Sequence, residues 1–154
     1  MNIAFVFPGQ GSQSVGMLSS FAGNAAVEDT LRRTSAALGQ DMRALIDAGP
    51  SEELNLTVNT QPAMLLAGMA IYRAWRDAGG AQPQFVAGHS LGEYTALTAA
   101  GVFDLEDAVR LVRFRATAMQ DAVPVGVGAM AAILGLADDD VAAVAAPERI
   151  LRVV

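Results

Sequence analysis

Three observations predict an α/β fold with a largely parallel sheet. Short apolar runs closed by glycine or proline alternate with segments that carry helix caps and helical periodicity. Gly88-His89-Ser90-Leu91-Gly92 fits the pattern G-x-S-x-G between an apolar run and a helical segment, which is the setting of a nucleophile elbow in a hydrolase-like core. The chain of 154 residues is 53% hydrophobic, with mean hydropathy +0.35, yet has no apolar run of the roughly 18 residues that a membrane span needs, so the excess belongs to a core.

Ile3-Ala4-Phe5-Val6-Phe7 reads as a buried strand ended by Pro8 and Gly9. Asn24 caps a helix with Val27, Leu31, Ser35 and Leu38 on one face, stopped by Gly39. Asp41 caps a short helix ending at Gly49-Pro50, and Ser51 to Leu54 forms another capped turn. A helix apolar almost all round runs from Pro62 to about Ala78, with Pro62 at its first position and Gly79-Gly80 at its end. Phe85-Val86-Ala87 is a second buried strand, followed by a helix from Ser90 to about Ala100. Asp104 caps a helix to about Ala122. Beyond it, Gly126 to Gly128 reads as a hinge, Ala129 to Leu134 as a strand, Asp138 to Ala146 as a helix, and Ile150 to Val154 as a strand.

Composition excludes several function classes. The net charge is −6 and the pI about 4.6, against a general nucleic-acid binder. There is no cysteine and a single histidine, His89, so disulfides, thiolate metal sites and histidine metal sites are not expected. With no basic signal region and no membrane span, a cytoplasmic location is expected. An apolar excess in so short a chain also implies that part of its burying surface is supplied elsewhere.

At the elbow, glycines let two chain segments pass closely while the turn pushes the Ser90 hydroxyl clear of the sheet. The amide of Leu91 points into the same space from a helix N-terminus, where it can stabilise an oxyanion. The bland alternative is Ser90 as a plain helix cap. His89 diverges from Ser90, so it is poorly placed to take the serine proton and reads mainly as a histidine satisfied beside the turn. It is also carried as a substrate-binding candidate. In the last long helix Ala108, Leu111, Val112, Arg115 and Met119 form one stripe, so Arg115 sits in the middle of an apolar face while Arg110 and Arg113 point to solvent. An inward guanidinium needs a partner, either an internal acid such as Glu93 or a ligand carboxylate held beside Ser90.

Phe7-Pro8-Gly9-Gln10-Gly11-Ser12-Gln13, Thr60-Gln61-Pro62-Ala63 and Gly88-His89-Ser90-Leu91-Gly92-Glu93-Tyr94, in this order and spacing, resemble the malonyl-CoA:acyl carrier protein transacylases, acyltransferases of fatty acid and polyketide synthesis. The resemblance runs to about Asp140 and fades from about Pro147. It implies ping-pong transfer of malonyl from coenzyme A, as an ester on Ser90, to the phosphopantetheine thiol of acyl carrier protein. It further implies an oxyanion hole from the amides of Gln10 and Leu91, carboxylate binding by Arg115 and a site lined by Gln61, with no cofactor beyond the coenzyme A thioester. Residues 1–125 would be the first part of the acyltransferase core, and 126–154 the first elements of an incomplete ferredoxin-like subdomain. The general-base histidine of such enzymes falls beyond this chain, which looks truncated and is expected to be inactive or impaired alone. A serine esterase or thioesterase of α/β-hydrolase type and a non-catalytic fragment that binds carrier protein are the competing readings.

Overall fold

A computed structural model of the chain describes residues 2–123, 127, 133 and 135–145. The chain divides into two compact units, Met1–Val123 and Pro124–Val154. In the first, β1 (Ala4–Phe7) precedes a 3-10 turn at Ser19–Phe21, then α1 (Ala25–Leu38), α2 (Met42–Ala48), α3 (Ser51–Asn55) and α4 (Thr57–Asp77). β2 (Phe85–Gly88), α5 (Leu91–Ala99) and α6 (Leu105–Ala122) complete it. In the second, α7 (Asp138–Ala145) opens on Asp138, Asp139 and Asp140, whose charges suit a helix N-terminus. Apart from residues 127 and 133, the hinge at 126–128 and the strands expected at 129–134 and 150–154 lie outside the described residues.

The local cap signals act as their chemistry demands. Asn24 Oδ1 accepts from the amides of Ala26 (3.0 Å) and Val27 (3.3 Å), and Gly39 ends α1 in the left-handed conformation at φ 62°. Asp41 Oδ1 accepts from Ala44 N at 3.0 Å to open α2. Asp104 holds the position before α6, but its side chain makes no cap bond.

The α4 helix starts at Thr57, five residues before the proline that was expected to open it. Polar residues ahead of Pro62 are here buried and satisfied by the preceding helix. Thr60 Oγ1 donates to Leu54 O at 2.6 Å, and Asn59 Nδ2 donates to Glu53 O at 2.9 Å. These bonds anchor the first turns of α4 to α3, so Pro62 sits inside the helix. From there α4 is the shared wall of two apolar clusters. On one side Leu66 and Ala70 pack with Val27, Leu31, Met42 and Ile46; on the other Leu65 and Met69 pack with Leu91, Val109 and Val112. Truncating Leu65 or Leu66, both fully buried, to alanine costs about 2–5 kcal/mol.

β1 and β2 pair in parallel, with Ala4 opposite Phe85, Phe5 opposite Val86, Val6 opposite Ala87 and Phe7 opposite Gly88. One face rests on α4: Phe5 meets Tyr72 and Trp75 edge-on at 5.8 and 5.9 Å, and Phe7 meets Tyr72 at 6.2 Å. The other face carries Ala4, Val6, Phe85 and Ala87 and is open, with Val6 75% and Phe85 66% exposed. The expectation of two fully buried strands is therefore corrected. An apolar run implies cover on both faces, and among the described residues only one face has it.

Candidate active site

Strand β2 delivers the chain into the turn that presents Ser90. Ser90 adopts φ 54°, ψ −114°, and is the one non-glycine residue with positive φ among those described. Such a backbone costs on the order of 1–3 kcal/mol and persists only where surrounding structure imposes it. The imposing contacts lie on either side. A Cβ on Gly88 would fall 2.1 Å from the Gly92 carbonyl, and one on Gly92 would fall 2.2 Å from Phe7 O. The two glycines of the motif are thus required by the close passage of β2, α5 and the end of β1. The serine is exposed at the rim as a result.

Arg115 reaches this serine from α6. Its Nη2 donates to Ser90 Oγ at 2.9 Å and its Nη1 to Gln61 Oε1 at 2.5 Å. Gln61 is fully buried in α4, and its Nε2 turns to Met119 Sδ at 3.3 Å, a weak acceptor. The Tyr94 ring lies beneath the guanidinium, 5.6 Å from centroid to Arg115 Cζ. Glu93, weighed as an internal partner, is exposed and makes no ion pair with Arg115. Among the described residues Arg115 pairs with no carboxylate at all. A cation held on two neutral acceptors and an aromatic ring keeps its charge available for an incoming anion.

The helical stripe needs correction. The buried face of α6 is Leu105, Ala108, Val109, Val112 and Ala116, while Leu111 is exposed. Arg115 and Met119 lie on the flank of that face, where it opens towards Ser90. Arg110 is solvated beside Asp107, as expected. Arg113 is not: it is partly buried on the opposite flank, donates to Gln40 Oε1, and leaves Nε buried without a partner. Burial pulls its pKa below the usual arginine value.

Gln10 lies in the loop after β1 and ties its side chain to Thr57 Oγ1 at 2.9 Å, at the start of α4. Gln13 holds the same loop, accepting from Gly11 N at 2.8 Å and donating to Asn55 Oδ1 at 2.8 Å. Among the described residues the amides of Gln10 and Leu91 donate no hydrogen bond, which leaves both N–H groups free. The His89 ring is exposed and makes no hydrogen bond, to Ser90 or to any other described residue, so it is not the satisfied histidine expected beside the turn. Sequence reasoning gave no site role to Tyr94, which stands in the quoted motif, to Met119, which stands in the α6 stripe, or to Thr57. Two of them had a signal in their spacing, since Tyr94 follows Ser90 by one helical turn and Met119 follows Arg115 by one. Thr57 had none. No group of three or more metal-binding side chains occurs among the described residues.

A model of the acyl transferase domain matches residues 4–153, and the chain belongs to that family. The match continues past Pro147, where the motifs alone had ended the resemblance. Among curated relatives, the chain is 59% identical over 140 residues to the malonyl CoA-acyl carrier protein transacylase of Escherichia coli (strain K12), covering 90% of this chain and 45% of that one. It is 47% identical over 135 residues to the transacylase of the same name from Bacillus subtilis (strain 168), covering 87% and 42%. The chain thus spans less than half the length of these relatives. Among solved structures, the acyl-carrier-protein S-malonyltransferase from Burkholderia pseudomallei 1710b superposes with TM-score 0.86 at 69% identity, over 96% of this chain and 48% of that one. A malonyl-transacylase in complex with its type II polyketide acyl-carrier protein superposes with TM-score 0.86 at 49% identity, again over 96% and 48%.

Proposed function

We propose that this chain carries the serine side of a malonyl-transfer site. Ser90 Oγ attacks the thioester carbonyl of malonyl-CoA, the C–S bond breaks, and the coenzyme A thiol leaves with the serine proton. The thiol of phosphopantetheine on acyl carrier protein then attacks the Ser90 ester and restores the hydroxyl. Arg115 binds the malonyl carboxylate, the amides of Gln10 and Leu91 receive the developing oxyanion, Gln61 holds Arg115 in place, and His89 borders the substrate. No cofactor is required beyond the thioester.

The observation that supports this reading is the Arg115 guanidinium, 2.9 Å from Ser90 Oγ and paired with no carboxylate among the described residues. An esterase for neutral acyl groups has no use for such a cation. The family and the names of the relatives support acyl transfer to a carrier protein. The same reading places the described strands and helices in a hydrolase-like core, and residues 126–154 in the first elements of a ferredoxin-like subdomain. It also places the protein in the cytoplasm, with no nucleic-acid partner; no described helix is long and apolar enough to cross a membrane.

The proton on Ser90 needs an acceptor, and among the described residues no carboxylate or imidazole hydrogen-bonds Oγ. The chain alone is therefore expected to take up malonyl slowly and to fail at steady-state transfer, since an oxyanion hole without its base retains only residual catalysis. Incubation with malonyl-CoA followed by mass spectrometry should show one malonyl on the wild-type chain and none on Ser90→Ala. Labelling by acetyl-CoA as fast as by malonyl-CoA would favour the esterase reading. Steady-state malonyl transfer to acyl carrier protein at an ordinary enzymatic rate would overturn the expected impairment.

A further inference from the structure

We propose that Tyr94 is a positioning residue that holds the Arg115 guanidinium beside Ser90 without neutralising it, and so sets the preference for a carboxylated over a neutral acyl group. Tyr94 lies in the first turn of α5, which opens directly after the Ser90 turn, and its ring meets the guanidinium that donates to Ser90 Oγ. The ring is partly buried and packs against the apolar cluster that includes Leu91, Leu105 and Val112, which limits its freedom to move. Arg115 Cζ stands 5.6 Å from its centroid, within the range of a cation–π contact.

The choice of an aromatic ring matters for charge. Arg32, Arg33, Arg43, Arg73 and Arg110 all pair with carboxylates among the described residues, and Arg115 does not. A glutamate in place of Tyr94 would orient the guanidinium equally well but would occupy its charge. An aliphatic residue would leave the charge free but unsupported, with Gln61 Oε1 and Ser90 Oγ as the only anchors. The ring does both tasks, because its quadrupole stabilises the cation while its neutral face takes up none of the remaining N–H groups, which stay available to an anion.

The inference rests on the malonyl-transfer reading of the site, and two measurements separate their failures. In the first, the full chain as wild type, Tyr94→Phe and Tyr94→Leu is titrated with sodium malonate while the Arg115 guanidinium resonance is followed by NMR. The phenylalanine variant should keep the wild-type Kd within about twofold, and the leucine variant should weaken it roughly tenfold, the scale of one cation–π contact. Equal affinity in the leucine variant, or no response of wild-type Arg115 to malonate, overturns the proposal. In the second, Ser90 labelling by malonyl-CoA is compared with labelling by acetyl-CoA. A roughly tenfold fall of the malonyl-to-acetyl ratio in the leucine variant alone supports the role of Tyr94, and equal losses on both substrates overturn it. Tyr94-dependent malonate binding with no labelling of Ser90 sinks the transfer reading and leaves Tyr94 standing. Tyr94→Met takes the place of the leucine variant if that variant shows no cooperative melt.

Discussion

Arg115 on α6 and Ser90 in the turn before α5 are joined by one hydrogen bond of 2.9 Å from guanidinium to hydroxyl. A serine that accepts from a cation is poised for a substrate bearing an anion next to the reacting carbonyl, since the same guanidinium can swing one N–H edge onto that anion. Arg115→Ala should lose the preference for malonyl over acetyl thioester by roughly 10–100-fold, the scale of a charge-assisted hydrogen bond. Arg115→Lys should recover only part of it, because an ammonium is a point charge without a planar fork. The ratio of Ser90 labelling rates by mass spectrometry measures both, and an unchanged ratio would make Arg115 a purely structural cation.

Ser90→Gly should raise the unfolding free energy by about 1 kcal/mol, because glycine accepts positive φ without a Cβ penalty. The opposite is expected at Gly92, where a Cβ meets Phe7 O at 2.2 Å and backbone cannot step aside. Gly92→Ala should cost about 3 kcal/mol or prevent folding. Urea midpoints for the two variants, moving in opposite directions, test both claims.

Arg113→Met should stabilise the fold by about 1 kcal/mol. The native side chain is a partly buried cation with an unpartnered Nε and no carboxylate partner among the described residues, and an apolar side chain of similar length avoids that desolvation. Gln40, its one hydrogen-bond partner, keeps its contact to Asn59 Oδ1 at 3.2 Å. A melting temperature unchanged or lowered in this variant would count against the reading.

Acid should loosen the tie between α1, α4 and α6. Asp29 sits under Arg73 and Arg32, and Glu106 under Arg33, and these hydrogen-bonded guanidinium groups hold both carboxyls below their usual pKa. A carboxyl whose pKa is lower folded than unfolded contributes stability above the unfolded value, and that stability is lost as pH falls through the folded value. The loss should set in near pH 4.5 and continue below the usual carboxylate range. Both pairs are about one-third exposed, so each contributes only about 1 kcal/mol or less. Glu106→Gln should flatten the acid limb of a stability–pH curve.

What was legible in the sequence is what a few consecutive residues decide by themselves. Asn24 with Gly39, and Asp41 with Gly49, mark both ends of α1 and α2 because capping is a local hydrogen-bond problem. The elbow was readable for the same reason: its two glycines and its serine answer to one tight turn. The start of α4 was not, because Asn59 and Thr60 are satisfied by the carbonyls of Glu53 and Leu54 rather than by their own helix. Arg113 was assigned to solvent because a helical wheel shifted by one position exchanges a flank for an open face. The meeting of Gln61 with Arg115 has no local signal, and only the resemblance to a family brought the two together. The open face of the sheet was misread, since an apolar run suggests cover on both faces and, among the described residues, α4 covers only one.

The contact between Gly92 and Phe7 O also has a kinetic consequence. The strained backbone of Ser90 is held in part by β1, which is distant in sequence, so the isolated segment around the elbow keeps only the close passage of Gly88 and Gly92. In the unfolded chain Ser90 is a relaxed, unremarkable serine. Its activated geometry is complete only when two strands distant in sequence have docked, a non-local step that is slow compared with helix formation. During refolding, helical signal should therefore return before Ser90 becomes reactive, and the delay between them times the pairing of β1 with β2.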